Sequence, residues 1–318
     1  MKKLDKLHWT PRWVSHLGCV KGCLNYLGVE ITDAWLYGGT GHAFVINVNP
    51  ESCPSGPTAW RTMMLGELAP NLGYQVDIVL GLKGENFLST QEKAWSFTRQ
   101  AIDDRLPVYA WELEIPEYYV IYGYDEVGYY YSGPGADDGK GPKPWQELGD
   151  SGIGIIEVYR LQPVLPKEPS VVVKSAFQNI LNHASNPPDW IFEGYASGIK
   201  AYDLWINGLE NGRASRSGMG YNAAVWAECR RFGVEFLEEA NQRLGIETSD
   251  LFAEALRHYR KVAKNLDQLT KLYPFQNMNE EVCIQPDADC QAAADLLREA
   301  RGAEAAGLES MEKIAEAL

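Results

Sequence analysis

Near residue 165 the sequence changes period, and that change constrains the fold more than any other feature. Before it, short apolar runs rich in Val, Ile and Tyr alternate with turns rich in Gly and Pro. The runs are HAFVINV (42–48), YQVDIVLGL (74–82), LPVYAWEL (106–113), YYVIYGYD (118–125), GYYYSGPG (128–135) and GIGIIEVYRLQP (152–163). They read as strands, with helices before and between them. The prolines of QPVLPKEPS mark a linker, and beyond it the segments from SVVVKSAFQNILNHAS to the Ala/Glu-rich end keep helical period. The expected fold is an α+β domain over residues 1–165 followed by an all-helical domain over residues 166–318.

At 318 residues the chain suits two domains rather than one. Its net charge of −14 divides evenly, each half carrying seven more acids than bases. That balance argues against nucleic acid or an anionic membrane as the main partner. No apolar run approaches the ~18 residues of a membrane span, and MKKLDKLHWTPRW lacks the apolar centre of a signal peptide. A cytoplasmic location is the expectation. Six scattered cysteines are too few for a disulfide framework in a chain of this size, so reduced thiols are expected.

Two of those thiols lie in SHLGCVKGCLNYLG (15–28). A helix from about Cys19 to Leu27 puts Cys19, Val20, Cys23, Leu24 and Leu27 on one apolar face. Cys19 then occupies the first helical turn, where unpaired N–H groups and the helix dipole lower a thiol pKa and supply oxyanion donors. Cys23, a turn deeper, points to the core. The plainer reading makes both small buried hydrophobes. No second close Cys or His pair accompanies them, so neither a metal nor another cofactor is called for.

HLGCVKGCLNYLG, WLYGGTGHAFVINV, DRLPVYAWELEIPEYYVIYGYDEVGYYY and PWQELG, in that order, resemble the papain-like fold of the butirosin biosynthesis protein H family. The N-terminal domain of that family is similar to bacteriocin-processing cysteine peptidases. GYASGIKAYDLWINGL resembles the helical domains that accompany such modules. The resemblance implies a cysteine nucleophile at a helix start, a histidine base at the start of a central strand, and a carboxylate orienting that histidine. Cys19 falls on the nucleophile position. Before YYVIYGYD, where the histidine is expected, stands Glu117, and Gly133-Pro134 replaces the Asp-Pro that carries the orienting acid.

An alternative base is His42, which follows the Gly-rich turn of GGTGHAFVIN and begins an expected strand; a structural histidine capping that strand is the other reading. Glu117 stands between Pro116 and an apolar strand, where burial raises a carboxylate pKa into the range of a general acid or base. At a solvated strand edge it would be inert. Gly39, Gly41, Tyr118 and Asp125 are the candidate substrate contacts, although Asp125 reads first as the turn residue of a hairpin closed by Gly128.

Two functions follow as expectations. One is cysteine-dependent acyl transfer, or amide or thioester hydrolysis, on a small molecule or peptide, with Cys19, His42 and Glu117 as the machinery. The resemblance favours transfer to an amine and allows an acyl carrier protein as donor. The other is a catalytically silent papain-like fold that binds a small ligand or peptide, which the missing triad histidine supports. A homo-oligomer stays open under either.

Overall fold

The structure, a computed structural model, describes residues 1–245, 249–276, 283–285 and 287–318. In chain order the first elements are β1 (Lys2–Lys3), α1 (Ser15–Leu27), α2 (Asp33–Gly39), β2 (Asn47–Val48), β3 (Tyr74–Leu82) and α3 (Phe87–Asp103). Then come β4 (Val108–Trp111), β5 (Tyr118–Tyr124), β6 (Gly128–Ser132), β7 (Lys140–Pro144) and β8 (Ile155–Pro163). The remainder is α4 (Pro169–Ala184), β9 (Ala196–Ser197), α5 (Gly198–Glu210), α6 (Arg216–Leu244), α7 (Ser249–Leu272) and α8 (Ala288–Ala317). Among the described residues no helix is long and apolar enough to cross a membrane.

The chain forms two compact units, but a single cut near residue 165 does not separate them. Met1–Thr32 and Gly73–Pro166 make the first; Asp33–Leu72 and Lys167–Leu318 make the second. The reason is a pairing that no local pattern announces: Asn47 and Val48 of β2 pair antiparallel with Ser197 and Ala196 of β9, which ties the 33–72 segment to the helical part. HAFVINV is accordingly not one strand. His42–Phe44 form a 3-10 turn and only Asn47–Val48 pair as a strand.

In the first unit an antiparallel sheet runs in the order β3-β8-β4-β5-β6-β7, with β1 pairing the far end of β5. Both faces of its centre are covered. Tyr118 of β5 meets Ser15 and His16 of α1, whereas Gly81 of β3 and Arg160 of β8 meet Thr90 and Phe97 of α3. Strand alternation thus sorts the tyrosines. Tyr109, Tyr118 and Tyr159 face α1, and Tyr129 packs its ring 5.1 Å from Trp95 of α3. Tyr109 and Tyr159, cross-strand partners, stack at 4.8 Å.

The second unit is built on helices whose core carries a buried ion pair. Arg230 of α6 and Glu304 of α8 are 0 % and 1 % exposed, and Arg230 Nε donates to Glu304 at 2.8 Å. Arg230 Nη1 also donates to the carbonyls of Ala43 and Val45, both at 2.9 Å, while the hydroxyls of Tyr202 and Tyr259 donate to Glu304. One guanidinium thereby fixes the 43–45 turn to α6 and α8. Removing one member of such a pair strands the other charge in low dielectric, whereas removing both does not. Arg230→Met should therefore cost about 3–5 kcal/mol. Arg230→Met with Glu304→Leu should recover most of that loss in urea unfolding of the full chain; equal losses in the single and double variants would refute the assignment.

Candidate functional site

Helix α1 begins four residues before the expected start. Gly18 N–H already donates to the Val14 carbonyl at 2.9 Å, and Gly28 closes the other end at φ 72° with its N–H on Leu24 and Asn25 carbonyls. The glycines explain the extension. The N-terminal arm crosses α1 so closely that a Cβ at Gly18 would collide with Trp9 Nε1 and Thr10 O, and one at Gly22 with His8 O. Thr10 N–H donates to Gly18 O at 3.2 Å and seals the crossing. Gly18 and Gly22 are thus a groove for the arm rather than a permissive approach to the helix.

Cys19 consequently lies in the second turn, past the unpaired N–H groups that would have stabilised a thiolate. Both Cys19 and Cys23 are 0 % exposed. Burial, followed by the neighbouring Cys23 and Glu117, pushes the Cys19 thiol well above its ordinary range, and burial does the same to Cys23. The electrostatic environment is opposite to the one expected for a nucleophile at this position.

The residue that does begin the helix is Ser15. Its hydroxyl donates to Glu117 Oε2 and accepts the N–H of Tyr118 at 3.1 Å. Ser15 is 3 % exposed and Glu117 5 %, so this carboxylate is buried rather than at a solvated edge. A tight loop presents it: Glu112, at φ 57°, donates its N–H to Glu117 O at 2.8 Å, and Glu117 N–H returns to Ile115 O at 2.6 Å. Hydrogen bonds to a charged group contribute about 1.5–3 kcal/mol each, enough for this one contact to fix where α1 meets β5.

A tyrosine box adjoins the pair. The His16 ring lies edge-on to Tyr109, Tyr118 and Tyr159 at 5.3, 4.7 and 5.5 Å, with the Tyr109 hydroxyl 3.3 Å from its Nε2. Glu157 of β8 accepts from the hydroxyls of Tyr118 at 2.6 Å and Tyr159 at 2.7 Å. Burial raises the Glu157 pKa and the two tyrosine bonds oppose that rise. Ser15, Tyr109, Glu157 and Tyr159 were not among the residues expected to act. Ser15 carried a usable signal, a serine ahead of the first apolar positions of a helix that ends at Gly28.

Of the remaining candidates, His42, Gly39 and Gly41 belong to the second unit. His42 Nδ1 is 3.6 Å from Cys229 Sγ, and its ring lies 5.5 Å from Trp60. It follows Gly41, whose φ of 81° permits the turn, and does not cap a strand. Gly39 ends α2, where a Cβ would collide with Leu72. Asp125 is the turn residue it first reads as: Oδ1 accepts from Val127 N–H at 2.9 Å and Gly128 N–H at 3.2 Å, and Oδ2 from Tyr130 at 2.6 Å. At about 3.3 Å per residue it is roughly 25 Å of strand away from Glu117. Among the described residues no cluster of three or more His, Cys, Asp or Glu is placed to hold a metal ion. No family model matches the chain, and no curated protein matches it.

Burial lowers the pKa of His42 to about 4 and that of His183, whose Nε2 lies 3.3 Å from Ile46 O, likewise to about 4. Both rings are therefore neutral in the fold. A depressed folded pKa contributes stability that is fully present above the ordinary value of about 6.5 and is lost as the pH falls towards 4. The loss is on the order of 3 kcal/mol per histidine. Urea midpoints should fall between pH 6.5 and 4, and His183→Gln should make that fall shallower; parallel profiles for the two proteins would contradict it. For the thiols, native Cys19 and Cys23 should both resist iodoacetamide while denatured chain labels fully. Rapid native labelling of Cys19 would show that its sulfur is accessible and ionised.

Proposed function

We propose that the first unit is a papain-like domain in which Ser15 and Glu117 stand at the nucleophile and base positions, and that it acts as a small-ligand or peptide binding protein rather than through thiol chemistry. The observation that carries this is the Ser15–Glu117 hydrogen bond. The resemblance implies a nucleophile at a helix start and a base at the start of a central strand, and these two residues begin α1 and precede β5 in direct contact. A carboxylate in place of a histidine, and a hydroxyl already engaged as both donor and acceptor, make a satisfied pair. Cysteine-dependent acyl transfer through Cys19 is disfavoured by a fully buried thiol whose pKa is pushed upward, with His42 in the other unit.

The same hydrogen bond favours one second reading. A serine hydroxyl donating to a carboxylate is also the geometry of a base-assisted nucleophile, and the N–H groups of the first turn of α1 would serve as oxyanion donors. A fluorophosphonate probe separates the readings: the silent reading predicts no adduct, an adduct on Ser15 installs hydrolysis or acyl transfer by serine, and a thiol-reactive acyl donor that modifies Cys19 restores the cysteine-dependent reading.

The positional claim has its own test. Ser15→Cys with Glu117→His places a thiol at the helix start beside an imidazole, where the dipole and a protonated ring lower a thiol pKa. Residue 15 should then alkylate at least about tenfold faster than in Ser15→Cys alone, where the Glu117 carboxylate raises the thiol pKa. Equal rates in the two variants would sink the assignment of these positions.

A further inference from the structure

One edge of the first unit's sheet is protected against pairing and the other is not. β7 carries Pro142 and Pro144, Lys140 and Lys143, and its register with β6 shifts between Tyr129 and Tyr131. Proline, lysine and irregular register are the features by which sheet edges avoid adding strands. β3, YQVDIVLGL, has no proline and no lysine, and it pairs with β8 through nine consecutive positions without a shift.

The phase of that ladder is readable at its two ends. Val164 N–H donates to Gly73 O at 2.9 Å, and Lys83 N–H donates to Gly154 O at 2.8 Å. Odd-numbered residues therefore bond β8, and Val76, Ile78, Leu80 and Leu82 turn their N–H and C=O groups away from it. Among the described residues these backbone groups have no hydrogen-bond partner. The side chains along this outward row are all apolar, with Leu80 42 % and Leu82 73 % exposed.

We propose that β3 is a dimer edge, at which two copies of the chain pair β3 antiparallel about a two-fold axis through Ile78. Self-complementarity selects a second copy as the occupant. With Ile78 opposite itself, Val76 faces the partner's Leu80 and Leu80 the partner's Val76, so the apolar row closes on itself. The one charge on the strand, Asp77, lies opposite the partner's Val79 and is already paired with Arg160 at 2.6 Å within its own chain. Centring the axis one residue earlier would set the two Asp77 carboxylates face to face.

Light scattering of the full chain at micromolar concentration should give twice the chain mass. In the proposed register Val76→Lys with Leu80→Lys sets lysines opposite lysines and should yield monomer, whereas Val76→Glu with Leu80→Lys sets each glutamate opposite the partner's lysine and should restore the dimer. Within one chain these positions are about 13 Å apart, too far for the rescue to be internal. A monomeric wild type, or a dimeric double-lysine variant, would overturn the proposal, and a monomeric Glu/Lys variant would overturn the register. Should a variant fail to fold, hydrogen exchange on the wild type decides: amides of Val76, Ile78 and Leu80 should slow as concentration rises, and concentration-independent exchange would overturn the dimer.

Discussion

A carboxylate taken out of water must find donors, and in the first unit that requirement falls on Glu117. The hydroxyl of Ser15, the first residue of α1, meets part of it, while Tyr118, the first residue of β5, closes the circuit by donating its N–H to the same hydroxyl. Helix start and strand start are thereby locked in register, and the positions of other groups follow. His16 is carried into the tyrosine box, Cys19 is carried a turn deeper against the sheet, and the 112–117 loop is drawn into the bend that leaves Glu112 at positive φ. The second unit repeats the logic with other chemistry, since Arg230 and Glu304 hold the 43–45 turn through a buried pair whose partners are carbonyls and tyrosine hydroxyls.

Much of the architecture was legible in residue period. The runs at 74–82, 108–111, 118–124, 128–132 and 155–163 are strands, and the helical pattern after the proline-rich linker is helix. What escaped is set by contacts distant in sequence. Asn47 and Val48 form a strand because they pair with residues about 150 positions later, and His42–Phe44 form a 3-10 turn beside Arg230, which binds the carbonyls of Ala43 and Val45. No window around residue 45 contains that information.

The candidate site was legible in part for a related reason. Glu117 stood out because a carboxylate between proline and an apolar strand needs an explanation, and its burial shows that it has one. Cys19 lies one turn past its expected place because the start of α1 depends on the arm that crosses Gly18 and Gly22, and glycine spacing alone does not say what fills the groove. A four-residue extension moved the helix terminus from a cysteine to a serine. That changes the chemistry available at the position more than any other single feature of the chain.

The coupling between Ser15 and Glu117 is the central quantity. It is measured by a double-mutant cycle of Ser15→Ala, Glu117→Gln and the combined variant, read by urea unfolding of the full chain. A direct, buried, charge-assisted hydrogen bond predicts a coupling of about 1.5–3 kcal/mol. Strictly additive losses would mean that the two side chains do not act as a pair, and would contradict the account.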